Sequence, residues 1–136
     1  MKDDIVINKI ETIKRCLSRI NEEYISFENE LESNYTKQDS IILNLERAAQ
    51  ASIDLSTHII RLRSLGVPKT SRDVFSLLKE NNIITLIISE QMKKMVGFRN
   101  IAVHDYQNIS LDIVKSILDN HLVDFEYFIQ EIINAE

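Results

Sequence analysis

The chain has 136 residues, 44% hydrophobic and 27% charged, with a formal net charge of −5. That length makes one domain, residues 1–136, able to bury roughly two-thirds of its unfolded surface, and the negative balance argues against a protein that coats nucleic acid by bulk attraction. Two glycines and one proline leave little material for hairpins or long irregular loops, and the single cysteine, Cys16, permits no internal disulfide.

Cys16 reads as a small buried apolar residue. Met1-Lys2-Asp3-Asp4 runs into a charged amphipathic stretch rather than a leader peptide. No apolar run approaches the roughly 20 residues of a membrane span. A cytoplasmic protein without membrane association is the expectation.

Five helical segments are predicted. The first spans about Asp4 to Glu30, with Ile7, Ile10, Ile13, Leu17 and Ile20 at helical spacing; its second half, Asn21 to Tyr35, is polar and loosens. The second opens near Gln38 or Asp39 and runs to about Ser64 on a stripe from Ile41 through Ala48, Ala49 and Ile53 to Ile59. Gly66-Val67-Pro68 closes it, glycine as the C-terminal cap and proline as the stop. Ser71 is placed as the cap of a short third helix, with Asp73 in its first turn, and Asn81-Asn82 breaks that helix. The fourth extends from about Thr85 to Val103 or His104. Ser110 caps the fifth, whose inward stripe is Leu111, Val114, Leu118, Leu122, Phe125 and Ile129. Without repeats or strand-like alternation, this is an all-α antiparallel helical bundle.

Charge is unevenly placed. Leu55 to Arg72 holds four cations (Arg61, Arg63, Lys69, Arg72) and no acid, and Gln91 to His104 holds three (Lys93, Lys94, Arg99), again with no acid. Asp105 to Glu136 holds seven acids and only Lys115. Such segments either solvate helix faces or bind an anion at one place.

The second basic segment leads into Arg99-Asn100-Ile101-Ala102-Val103-His104-Asp105-Tyr106. Arginine offers a planar fork matched to phosphate oxygens, and histidine exchanges protons near neutral pH. A histidine in the last helical turn also meets the negative end of the helix dipole, which favours its protonated form. This is equipment for a phosphodiester, with acid–base work at a ribose 2′-hydroxyl; the same three residues also fit satisfied hydrogen bonds in a core. At ~100° per residue, Arg99 and His104 point roughly 140° apart. With the helix ending near His104, Tyr106 falls in the connecting turn. His58, His104 and His121 show no metal-ligand spacing, so no metal is expected.

Over essentially its whole length the chain resembles the HEPN superfamily, and the HepT-like toxins within it. The resemblance rests on the intact Arg, four residues, His, one residue, Tyr signature, on Gln38-Asp39-Ser40 opening the second helix, on Leu65-Gly66-Val67-Pro68, on Ser71-Arg72-Asp73, and on Lys93 to Asn100 leading into the motif. It implies a HEPN-type bundle that forms a homodimer, and a metal-independent endoribonuclease toxin whose motifs face each other across a cleft. Arg99 would hold the scissile phosphate, His104 would be the general acid or base, and Asn100 would assist. It further implies a cognate MNT-type nucleotidyltransferase antitoxin that transfers AMP from ATP to Tyr106, so that ATP serves the partner and this chain needs no cofactor. An adenylate there would block RNA by charge and bulk. The alternative is a non-catalytic HEPN subunit that binds substrate for a nucleotidyltransferase.

Several residues keep two readings. Asp39 is a family acid or a helix cap. Lys93 and Lys94 guide RNA or are merely exposed. Arg61, Arg63 and Arg72 are surface cations or contacts to antitoxin or RNA, while His58 and His121 are structural or exposed. Phe98, Ile101 and Val103 pack in the core or the dimer interface, and Gly97 permits close helix approach.

Overall fold

The computed structural model describes residues 3–136, so Met1 and Lys2 of the expected leaderless start lie outside the described residues. Six helices form, one more than expected: α1 (Asp4–Tyr24), α2 (Tyr35–Leu62), α3 (Asp73–Glu80), α4 (Leu86–His104), α5 (Leu111–Asn120) and α6 (Leu122–Asn134). No strand occurs among the described residues, and no helix there is long and apolar enough to cross a membrane.

Asp3 starts α1, its carboxylate accepting from the Ile5 and Val6 amides at 2.8 and 3.2 Å. The helix stops at Tyr24, six residues before the expected Glu30, because its buried stripe ends there. Ser26 then turns through the left-handed region (φ 69°), and Glu28–Glu30 forms a single 3₁₀ turn. Asn34 caps α2 by accepting from the Lys37 amide at 3.0 Å. Asp39 therefore lies inside the helix, and its reading as a cap is corrected.

Gly66 does not cap α2. Ser64 takes the left-handed position (φ 54°), with Leu65 N–H bonded to Ile60 C=O at 2.9 Å and Ser64 N–H to Arg61 C=O at 3.3 Å. This is the paired closure of a Schellman motif. Asn82 repeats it after α3 (φ 58°), where Ile83 N–H reaches Leu78 C=O and Asn82 N–H reaches Lys79 C=O. The Asn81-Asn82 break is thus a built turn.

Ser71 is not a cap either. Thr70 and Asp73 do that work reciprocally: Thr70 Oγ1 accepts from the Asp73 amide at 3.3 Å, and the Asp73 carboxylate accepts from the Thr70 amide at 3.2 Å and the Lys69 amide at 2.9 Å. This capping-box arrangement leaves the Ser71 hydroxyl free. Ser110 caps α5 as expected, and Thr85, expected only as the approximate start of α4, caps it by accepting from the Ile88 amide at 3.3 Å.

The expected fifth helix divides at His121, where Nδ1 lies 3.0 Å from the Asp124 carboxylate. The buried stripe changes phase there, from Val114, Ile117 and Leu118 to Phe125, Phe128, Ile129 and Ile132. Leu111 and Leu122, expected inward, are only half-buried.

The core forms where α1 pairs lengthwise with α2 and α4 crosses α2, with α3 and α6 flanking α4. At ~1.5 Å per residue α2 is a rod of about 42 Å. Ala48, Ala49, Ala51, Ser52 and Ser56 on it are buried, and the two hydroxyls are satisfied by backbone carbonyls one turn back at 2.8 Å. Phe75 of α3 and Phe128 of α6 meet edge to face, their centroids 5.7 Å apart. Cys16 is buried, and desolvation pushes its thiol pKa up. His58 is structural, Nε2 lying 2.8 Å from the Asp3 carboxylate.

Candidate functional site at the C-terminal end of α4

Helix α4 ends at His104, where Asp105 leaves helical geometry (φ −150°, ψ 48°) and its N–H bonds Ile101 C=O at 2.8 Å. The Asp105 carboxylate accepts from Asn108 Nδ2 at 2.9 and 3.0 Å. These bonds hold a 3₁₀ turn, Tyr106–Asn108. Tyr106 accordingly sits in the connecting turn, as the spacing predicted.

Three fates follow for the motif residues. Arg99 turns toward the start of α3, where Nη2 donates to Ser71 Oγ at 2.9 Å. Its Nε is buried with no partner. His104 is exposed, and among the described residues no hydrogen bond or ion pair engages its ring. Tyr106 is 44% exposed, and its hydroxyl donates to Asp39 Oδ1 across 67 residues of sequence. Desolvation first, then that bond and the carboxylate's charge, push the phenol pKa up to about 12.

Since α4 stays helical from Arg99 to His104, the two project about 140° apart, and one copy of the chain does not aim both at one point. Asn100 is half-buried on the face of His104 rather than that of Arg99. Lys93 pairs with Glu90 at 3.5 Å, whereas Lys94 is exposed. Phe98 is buried; Ile101 and Val103 are 42% and 47% exposed. A cavity of about 320 Å³ beside this face is lined by Phe98, Ile101, Ile113 and Ile117, among others. At Gly97 it is no helix backbone that approaches: a Cβ there would meet Arg72 Nη2 at 2.9 Å. Among the described residues no three potential metal ligands gather.

Sequence reasoning missed two partners. Ser71 was assigned to capping, and only the Thr70–Asp73 pair reveals why its hydroxyl is available. Asp39 was noted as an acid at the start of a helix, but nothing local in sequence ties it to Tyr106.

Near one helix end the chain thus sets an exposed histidine, an exposed tyrosine and a half-buried arginine with an unsatisfied N–H. The chain belongs to the Ribonuclease HepT-like family, whose pattern matches residues 8–132. It is 53% identical over 134 residues to the mRNA nuclease HepT of Shewanella oneidensis, spanning 98% of this chain and 99% of that one. To the tRNA nuclease HepT of Aphanizomenon flos-aquae it is 27% identical over 129 residues, 94% of this chain and 87% of the relative. Among solved structures it superposes on the tri-AMPylated Shewanella oneidensis HEPN toxin in complex with MNT antitoxin with a TM-score of 0.92 and 52% identity, covering 99% of this chain and 100% of that one.

Proposed function

We propose that this chain is the endoribonuclease toxin of a HEPN/MNT toxin–antitoxin pair, acting in the cytoplasm without a metal. One observation carries the reading: the Arg99–His104–Tyr106 spacing is intact at the end of α4, with His104 and Tyr106 exposed, in a chain that belongs to the HepT-like ribonucleases. Arg99 neutralises the scissile phosphate through its planar fork. His104 takes the proton of the ribose 2′-hydroxyl as that oxygen attacks phosphorus, and the 5′-oxygen leaves with a proton from a second histidine. Asn100 assists in holding the strand.

That second histidine comes from a second copy of the chain. The 140° divergence of Arg99 and His104 supports this assembly, as do the exposed Leu86, Ile87, Ile101 and Val103 on α4. Such apolar exposure beside a polar motif is typical of a partner-covered surface.

The antitoxin is an MNT-type nucleotidyltransferase that modifies Tyr106. The phenol oxygen attacks the α-phosphorus of ATP, pyrophosphate departs, and the phenol proton is lost. The adenylate brings negative charge and bulk beside Arg99 and excludes RNA.

The decisive experiment incubates purified protein with total RNA in EDTA. Wild type should cut; His104→Ala and Arg99→Ala should each lose at least ~10²-fold in rate while remaining folded dimers. A folded His104→Ala protein that cuts like wild type overturns the mechanism. Should wild type not cut while Tyr106 is shown by mass spectrometry to be unmodified, the non-catalytic binding subunit becomes the better reading.

A further inference from the structure

Gly97 lies in the interior of α4, where glycine is the weakest helix former after proline. What it accommodates is a side chain from another element, since a Cβ at this position would stand 2.9 Å from Arg72 Nη2. Glycine here leaves room for the end of a flexible guanidinium side chain, which a Cβ would push aside.

Arg72 is otherwise unspoken for. It is exposed, and among the described residues no carboxylate pairs with it. The adjacent Ser71 meanwhile holds Arg99, whose Nε has no partner. Consecutive residues at the start of α3 thus meet α4 in two ways: Ser71 accepts from Arg99, and the end of Arg72 lies over Gly97. An exposed guanidinium without a carboxylate partner is free to bind an anion through its planar fork.

The position of that guanidinium indicates which anion. Gly97, Asn100 and His104 fall within ~60° of one another around α4, and Gly97 precedes His104 by about 10 Å along the axis. A strand lying along this face with its scissile phosphate at His104 would carry a phosphate one or two nucleotides away over Gly97. We propose that Arg72, lying over Gly97, is a second phosphate-binding residue of the RNA site, gripping the backbone beside the cleaved position. The proposal deepens the ribonuclease reading and rests on it for the identity of the ligand.

The test uses the full-length dimer carrying His104→Ala, so that RNA is bound but not cut, with a fluorescein-labelled single-stranded RNA and anisotropy across a salt series. Adding Arg72→Ala should weaken binding about tenfold and lower the slope of log K against log salt by ~0.7, the value for one phosphate contact on a single strand. Gly97→Ala should give a smaller loss than Arg72→Ala, because the flexible guanidinium need only shift aside, although it improves helix propensity and leaves thermal stability no lower. Arg72→Lys should recover part of the affinity, as a point charge without the fork. Arg19→Ala, an exposed cation on α1, should bind like the parent.

Full affinity in Arg72→Ala overturns the subsite, and so does an equal loss in Arg19→Ala. Absence of RNA binding by the parent overturns it too. If Arg72 governs binding but the protein with His104 restored cuts no RNA, the subsite stands and the ribonuclease reading falls. If that protein cuts and Arg72→Ala leaves its KM unchanged, the reverse holds.

Discussion

Two tyrosines in this protein make the same bond to the same kind of partner, and only one stands at the candidate site. Tyr24, at the end of α1, donates to Asp119 Oδ1 of α5 at 2.7 Å; Tyr106 donates to Asp39 of α2. Desolvation, then the carboxylate, raises both phenol pKa values to about 12. They differ in exposure, 3% against 44%, and in neighbours. Tyr24 is a clamp joining two helices over the core. Tyr106 follows an exposed histidine and is open to a large partner. A perturbed phenol therefore does not mark a functional tyrosine; accessibility beside complementary chemistry does.

The largest expected difference is in modification. With the cognate nucleotidyltransferase and labelled ATP, Tyr106→Phe should take up no AMP, whereas Tyr24→Phe should be labelled like wild type. Equal labelling of Tyr106→Phe would move the acceptor elsewhere and remove the contrast. Stability should separate the two in the opposite sense. Losing the buried hydroxyl of Tyr24 should cost about 1–2 kcal/mol in denaturant unfolding, while Tyr106→Phe, at a surface turn, should stay within ~0.5 kcal/mol.

The two pairs also show how far sequence reaches. Apolar periodicity located α1 to α4, and the cap at Ser110 was readable because an N-cap is a local device. Tyr106 was placed in a turn from Asp105, Gln107 and Asn108 alone. Features decided between distant segments were not legible: Tyr24 with Asp119, Tyr106 with Asp39, Arg99 with Ser71. Ser71 and Gly66 misled for one reason, that a neighbour met the local requirement first. Thr70 capped α3, and Ser64 took the left-handed turn a glycine would suit better. The division at His121 was hidden because its two stripes, read together, pass for one amphipathic helix with a small drift.

The smallest expected effect is also the most diagnostic. Each phenol holds its proton more tightly in the folded chain than its ordinary value of 10.0 would require. The fold thus favours the neutral phenol: the contribution is whole below pH 10 and is lost as pH rises from 10 toward about 12. Both phenols carry the same upward shift, so that alkaline loss of stability should shrink in each Phe variant, and less in Tyr106→Phe because Tyr106 is exposed to screening solvent, as unfolding at stepped pH would show. Asp39→Asn removes the charge but leaves desolvation in place, so it should lower the Tyr106 phenol pKa only part of the way, read from phenolate absorbance, and leave Tyr24 untouched. Asp119→Asn should do the converse. An Asp39→Asn protein with both phenols unmoved would mean that Asp39 does not hold Tyr106 in solution, and the resemblance between the two pairs would end there.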